Sequence, residues 1–146
     1  MKKAISYSLL FMLSMMIAPS VAAQVTRVNL GGSGKSHDNY VDVYEYDFVD
    51  VQPRFPGDER GLVNYINNTR QYPYDAYKNK IQGRVVCSFI VNTDGSICHV
   101  QVIKSASPSL DKEAVRIIKE MPNWKPGMIY GEEVPVHCIL PIAFRL

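Results

Sequence analysis

The length, composition and charge of the chain limit what it can be. Its 146 residues, 47% hydrophobic and 21% charged, suit one globular domain preceded by a targeting segment rather than two full domains. The formal charge of +2 falls to zero without Lys2 and Lys3, because every Asp and Glu lies further along the chain. A neutral domain without a basic cluster lacks the charge pattern that phosphate-backbone binding needs, so nucleic acid is not an expected partner.

The first 23 residues have the pattern of an export signal. Lys2 and Lys3 precede an apolar run over 4–17, and Pro19 and the small residues of 21–23 follow it. Cleavage there would start the mature chain at Gln24 and release it into the periplasm. The alternative is an uncleaved inner-membrane anchor facing the periplasm, because residues 4–23 are about the ~20 residues that a bilayer-spanning helix needs.

Residues 24–50 are predicted to be a linker with one possible extra edge strand. The first part of this range is rich in Gly and Ser and has little periodic apolar content, which is typical of a flexible connection. From Val41 to Val51, apolar and aromatic residues alternate loosely, which favours a strand at a sheet edge. The folded domain is therefore expected to occupy residues 51–146.

The first part of the domain is predicted to be helical. Apolar residues at helical spacing predict a helix from about Asp58 to Arg70. Pro56 and Gly57 interrupt the chain just before it and set its start. Pro73 ends or redirects this helix, and one short turn is expected over 75–80.

A hairpin gives the clearest signal in the chain. Apolar residues occupy the alternate positions Val85, Cys87, Phe89 and Val91. Thr93-Asp94-Gly95 supplies the turn, and a second strand runs from Ile97 to Ser105. This alternation places Cys87 on the core face.

A second helix and a final strand complete the domain. Ser107 and Pro108 are typical of a helix N-terminus, and Pro122 ends the apolar helical pattern that follows. On the polar side of this helix, Asp111, Glu113 and Glu120 are expected to be solvated. The single tryptophan, Trp124, is expected to close one end of the core. Alternating apolar residues then predict a long last strand over 134–144.

These elements predict an α+β fold. The order is helix, strand, strand, helix, strand, with a small antiparallel three-stranded sheet packed on helices. The second helix returns the chain so that the last strand runs parallel to the second strand and antiparallel to the first. An antiparallel sheet then requires the first strand in the centre, which leaves the last strand on an edge with unpaired backbone groups.

Several motifs occur in an order that resembles a known family. They are Gln52-Pro53-Arg54-Phe55-Pro56-Gly57, Tyr72-Pro73, Ile81-Gln82-Gly83-Arg84-Val85, Asp94-Gly95-Ser96-Ile97, Trp124-Lys125-Pro126-Gly127 and Leu140-Pro141-Ile142-Ala143-Phe144-Arg145-Leu146. This set resembles the C-terminal domain of TonB-family energy transducers, in the form common among Bacteroidetes-type bacteria.

The resemblance implies a periplasmic protein-binding module linked to TonB-dependent transport. In the family, an edge strand pairs with the Ton box, a short extended segment of an outer-membrane transporter, and main-chain hydrogen bonds supply the affinity. By position, the partner-binding residues would be Val134, Pro135, Val136, His137, Cys138, Ile139 and Leu140. The segment Gln71, Tyr72 and Pro73 matches a Gln-Tyr-Pro motif that lies near the bound segment. No cofactor and no small-molecule substrate are expected.

The cysteines and histidines leave three questions open. Cys98-His99 and His137-Cys138 hold the ligand types of a zinc site, but neighbouring strand residues point to opposite faces, so no metal is expected. Cys87 and Cys138 are either buried free thiols or a cross-strand disulfide. A small exported Cys/His enzyme is an alternative to the binding module, although cysteines within strands rarely form an accessible nucleophile, so no catalytic residue is assigned. An edge-paired homodimer is a third hypothesis.

Overall fold

The computed structural model describes residues 25–29 and 40–146. The predicted export signal therefore lies outside the described residues. No helix in the described part combines the length and the apolar character needed to cross a membrane.

The described elements are seven strands, three helices and one 3-10 turn. The strands are β1 (Val25–Asn29), β2 (Tyr40–Glu45), β3 (Gly83–Val91), β4 (Ile97–Lys104), β5 (Gly127–Ile129), β6 (Glu132–Val134) and β7 (Val136–Phe144). The helices are α1 (Asp58–Thr69), α2 (Tyr74–Lys78) and α3 (Pro108–Lys119), and the 3-10 turn is Tyr46–Phe48.

The main sheet has five strands in the order β1-β2-β7-β3-β4. Its central part agrees with the prediction, since β3 lies between β7 and β4 and is antiparallel to both. The prediction of a three-stranded antiparallel sheet is wrong beyond that point. The β1–β2 hairpin extends the sheet next to β7, and β2 runs parallel to β7, so the sheet is mixed and the fold remains α+β.

The helices cover one face of this sheet. The amphipathic face of α3 buries Leu110, Ala114, Ile117 and Ile118 completely. Ser107 begins this helix as predicted, because its hydroxyl accepts a hydrogen bond from the Leu110 N–H at 3.3 Å. Each fully buried Leu or Ile stabilises the fold by roughly 1.5–3 kcal/mol, so this face anchors the helix to the sheet.

Trp124 closes one end of the core, as predicted. It is 8% exposed, and its ring meets those of Phe55 and Phe89 edge-on, with centroids 5.6 and 5.5 Å apart. The β3–β4 turn passes directly over its backbone. Gly95 is required there, because its φ is +84° and a Cβ would lie 1.9 Å from the Trp124 carbonyl oxygen.

Two short strands were not predicted. The sequence pattern predicts one strand over 134–144, but Val134 belongs to β6, and Pro135 separates it from β7. A tight turn with positive φ at Tyr130 and Gly131, 50° and 79°, joins β5 to β6, as in two-residue hairpins. In the sequence, Gly131 just before the alternating apolar residues was the signal for this turn. Likewise, β1 lies within the predicted linker.

The sheet curls so that its first and last strands approach each other. The Nε2 atom of His99 in β4 lies 3.1 Å from the carbonyl oxygen of Asn29 in β1. His99 has φ +51° and marks an irregularity in the β3–β4 register. Residues from all five strands line a cavity of about 190 Å³ on the face opposite the helices, and Val43 of β2 is 2% exposed there.

Candidate partner-binding edge

The two edges of β7 have different neighbours. Its inner edge pairs with β3 over its whole length, from Val136↔Val91 to Phe144↔Gly83. On its outer edge, the Tyr44 N–H donates to the Pro135 carbonyl oxygen at 3.0 Å. Backbone groups of alternate strand residues point to opposite edges, so residues 137, 139, 141 and 143 turn their backbone groups outward.

Two observations agree with this assignment. Arg70 donates from Nη1 to the carbonyl oxygen of Ala143 at 2.8 Å, so this carbonyl has a partner outside β3. Pro141 also occupies an outward position, where its missing N–H removes no hydrogen bond to β3.

The predicted binding strand is only partly open, so the prediction of a wholly unpaired edge over 134–140 is wrong. Val134 pairs within the β5–β6 hairpin, and the carbonyl of buried Pro135 is already bonded to β2. Val136 and His137 pair with Tyr44 and Glu45. Among the described strands, none pairs with the outer edge from Ile139 to Ala143. We call this stretch the open edge.

The side chains along the open edge include exposed apolar groups. Ile139 is 58% exposed, and Pro141 is also exposed, whereas Cys138 faces the core and Leu140 packs partly against it. Glu45, Tyr46, Asp47, His137 and Ile139 line a cleft of about 260 Å³ where β2 leaves the edge. Within this cleft, Nδ1 of His137 lies 3.2 Å from Oε2 of Glu45.

The segment Gln71, Tyr72 and Pro73 lies at the far end of the open edge. The Tyr72 ring meets Phe144 edge-on, with centroids 6.0 Å apart, and its hydroxyl donates to the Ile81 carbonyl oxygen. Pro73 accepts from the Tyr77 N–H in the first turn of α2. The structure thus brings this segment next to residues 143–144, whereas the predicted strand residues 134–137 lie at the opposite end of β7.

A buried ion pair that the sequence did not reveal fixes this segment. Glu113 is 8% exposed, so the prediction that it is solvated is wrong. Its two carboxylate oxygens accept from Arg116 at 2.7 and 2.8 Å, and Oε1 also accepts from the Gln71 N–H at 2.8 Å. Arg116 in turn donates to the Thr69 carbonyl oxygen at 2.9 Å. The end of α1 is therefore clamped to α3.

The clamp shifts the ionisation of both partners. Burial by itself would raise the pKa of Glu113, but hydrogen bonds from Arg116 and the Gln71 N–H outweigh it and hold this pKa below its ordinary value. The hydrogen bond to Glu113 likewise raises the pKa of Arg116. A Glu three residues before an Arg on a helix was the signal for this pair, but the burial comes from tertiary packing.

The thiols are poorly suited to nucleophilic chemistry. All three cysteines are free. Burial raises the pKa of Cys87 to about 11 and that of Cys138 to about 12, and burial also raises the pKa of Cys98. A thiol must ionise to attack, so these values argue against the Cys/His enzyme hypothesis.

No metal site emerges in the part of the chain that the structure describes. There, no three His, Cys, Asp or Glu side chains come together in a way that could hold an ion. The Sγ of Cys98 instead donates to Oδ1 of Asn92 at 3.4 Å, and His99 contacts β1. The expectation that the protein needs no cofactor or metal stays a prediction.

Comparison with known proteins identifies the family. Two solution structures of the Helicobacter pylori TonB C-terminal domain are 28% and 29% identical to this chain, with TM-scores of 0.47 and 0.46. They match 58% of this chain, and 77% and 89% of their own. TonB proteins of two H. pylori strains are 34% and 33% identical over 82 residues.

Those 82 residues are 56% of this chain but only 27% and 28% of the two TonB proteins, so the chain matches little more than a quarter of their length. Residues 68–146 match the family described as Gram-negative bacterial TonB protein C-terminal. Because this match covers more than half of the chain, the protein belongs to the TonB C-terminal family.

Proposed function

We propose that the protein is a periplasmic binding module that captures an extended segment of an outer-membrane transporter, or of a related envelope protein, in TonB-dependent transport. The observation that carries the proposal is the open edge from Ile139 to Ala143, in a member of the TonB C-terminal family. An uncovered strand edge can accept a further strand through main-chain hydrogen bonds.

The available backbone groups favour a parallel docking strand. Ile139 offers both groups, Pro141 offers its carbonyl and Ala143 offers its N–H. The Ala143 carbonyl is already bonded to Arg70. An antiparallel strand would point an N–H at the Ala143 carbonyl, where it competes with Arg70, whereas a parallel strand of about five residues ends before it reaches that carbonyl. The strand β2, which runs parallel on the same edge, provides the precedent within the chain.

Replacement of Ile139 by Pro tests the proposal. The N–H of Ile139 points outward, so Ile139→Pro removes a docking donor without touching the bonds to β3. Synthetic peptides with the periplasmic N-terminal sequences of outer-membrane transporters from the source organism serve as probes, and amide chemical shifts report binding. We expect the amides of Ile139 and Ala143 to shift in the native protein and the affinity to fall at least tenfold in the variant.

The matched control is Ile139→Ala, which trims the exposed side chain but keeps the N–H. It should bind more tightly than Ile139→Pro. Equal peptide affinity in the native protein and Ile139→Pro, with both folded, would show that recognition occurs elsewhere. Light scattering could instead show that the native protein is a dimer and that Ile139→Pro is a monomer. That result, without any peptide binding, would favour the edge-paired homodimer.

A further inference from the structure

The two ends of the open edge carry opposite charge. At the end where β2 leaves, Glu45 and Asp47 line the cleft that Ile139 also lines, and His137 in the same cleft lies 3.2 Å from Glu45. Arg54 is near Tyr46 in an adjoining cleft, but it is ion-paired with Asp58 at 3.7 Å. The carboxylate of Asp47 forms no ion pair with any cation of the described residues.

Three arginines lie near the other end, and one of them, Arg84, is on β3 beside Ala143. Arg84 and Arg145 line a cleft of about 370 Å³ together with Ala143, and Arg70 reaches the Ala143 carbonyl from the helical side. Within the described part of the chain, none of these three arginines pairs with a carboxylate. No described carboxylate therefore neutralises the positive charge at this end.

The distance between the two ends sets the length of a segment that would contact both. From Ile139 to Ala143 a strand advances about 13 Å, at ~3.3 Å per residue. A docked strand of about five residues therefore brings its first residue to the Glu45–Asp47 cleft and its last residue to the arginines. The parallel orientation argued above fixes which end is which.

We infer that the open edge selects an extended segment with a basic residue at its N-terminal end and an acidic residue about four positions later. Apolar side chains between them would pack against exposed Ile139 and Pro141. Complementary charges at an exposed rim select and orient a partner more than they add affinity. This inference rests on the proposed function, because it specifies the chemistry of the segment that the same edge captures.

Two peptides of identical composition test the inference. One carries Lys-Val-Thr-Val-Glu and the other the reverse charge order, Glu-Val-Thr-Val-Lys, each flanked by Gly and with blocked ends so that terminal charges do not contribute. Each exposed contact is individually weak, but exchanging the two charges turns attraction into repulsion at both ends. We expect the first peptide to bind about tenfold more tightly at low salt, with the preference shrinking as salt screens the charges.

Charge-reversal variants give the control. The double variant Asp47→Lys with Arg145→Glu exchanges one charge at each end and should reduce or reverse the preference. Equal binding of the two peptides, when Ile139→Pro weakens both, would overturn this inference and leave the proposed function intact. Binding of neither peptide, or binding that Ile139→Pro does not affect, would overturn the inference together with edge capture.

Discussion

The inner and outer edges of β7 place different demands on the same strand. Every residue of the inner edge is paired with β3, and the core residues Val136, Cys138, Ile142 and Phe144 are at most 4% exposed. On the outer edge only Val136 and His137 are paired with β2. The inner edge therefore builds the fold, whereas most of the outer edge has no partner among the described strands. Substitutions that disturb the inner edge should therefore destabilise the fold, whereas substitutions on the outer edge should mainly change binding.

The sharpest test of this difference compares proline substitutions at two adjacent positions, Leu140 and Ile139. The N–H of Leu140 faces β3 opposite Cys87, so Leu140→Pro leaves a buried carbonyl unpaired and forces a ring into the ladder. We expect the free energy of unfolding to fall by more than about 2 kcal/mol, as measured by urea denaturation. Ile139→Pro should lower it by less than about 1 kcal/mol, because no bond to β3 is lost. Equal losses would mean that the outer edge is as structural as the inner edge.

The clamp between α1 and α3 supports the far end of the outer edge. Glu113→Ala removes the carboxylate that binds both Arg116 and the Gln71 N–H. Breaking a buried pair costs about 3–5 kcal/mol, and we reduce this to about 2 kcal/mol because the Arg116 side chain is 32% exposed. Lys112→Ala, at an exposed position on the same helix, is the control and should change stability by less than about 0.5 kcal/mol. Similar stabilities of the two variants would contradict a structural role for the clamp.

The same clamp predicts a dependence of stability on pH. The pKa of Glu113 is lower in the folded protein than its ordinary value of 4.5. Its contribution is therefore complete above pH 4.5 and is lost as the pH falls through the lower, folded-state pKa. The difference in unfolding free energy between the native protein and Glu113→Gln should be constant from pH 5 to 7 and shrink below pH 4.5. A difference that grows as the pH falls would contradict the assignment.

The sequence predicts the central part of the fold because local signals and tertiary contacts agree there. Ser107 and Pro108 begin α3 as predicted, and the alternation through Cys87 gives the correct core face of β3. Sequence order alone also placed β3 between β7 and β4. In both α3 and β3 the buried residues recur at the regular spacing of a helix or of a strand, and the element has a clear start or end in the sequence.

The candidate site was less predictable because its outer neighbours come from distant segments. Pairing between Glu45 and His137 spans 92 residues, and the contact between Arg70 and Ala143 spans 73. Neither leaves a local pattern. The burial of Glu113 also depends on Thr69, at the end of α1, and on Gln71, which follows it, so the sequence of α3 by itself presents Glu113 as a surface residue. The sequence predicts an unpaired edge over 134–140, whereas β2 pairs with Val136 and His137, so the stretch without a described strand partner runs from Ile139 to Ala143.

The last and smallest expected effect concerns the β1–β2 hairpin. Two interactions within it differ in burial: Val43 is 2% exposed against the sheet, whereas the ion pair between Arg27 and Asp42 joins side chains that are 79% and 49% exposed. Removing methyl groups at a buried Val site costs about 1 kcal/mol, and an exposed pair contributes about 0.5 kcal/mol or less. The N–H of Tyr44, bonded to Pro135, reports opening of the hairpin by hydrogen exchange.

Val43→Ala should accelerate exchange at the Tyr44 amide roughly fivefold, and Arg27→Gln less than about twofold. The amides of β3 should keep their native hydrogen-exchange rates in both variants, because the hairpin can open while β3 and β7 stay paired. Opening also uncovers the outward backbone groups of His137, which lengthens the edge available to a docked strand. Peptides that extend beyond the Ile139 end should therefore bind Val43→Ala slightly more tightly than the native protein. If β3 amides accelerate together with Tyr44, the hairpin belongs to the cooperative core, and the contrast between the two edges of β7 does not hold.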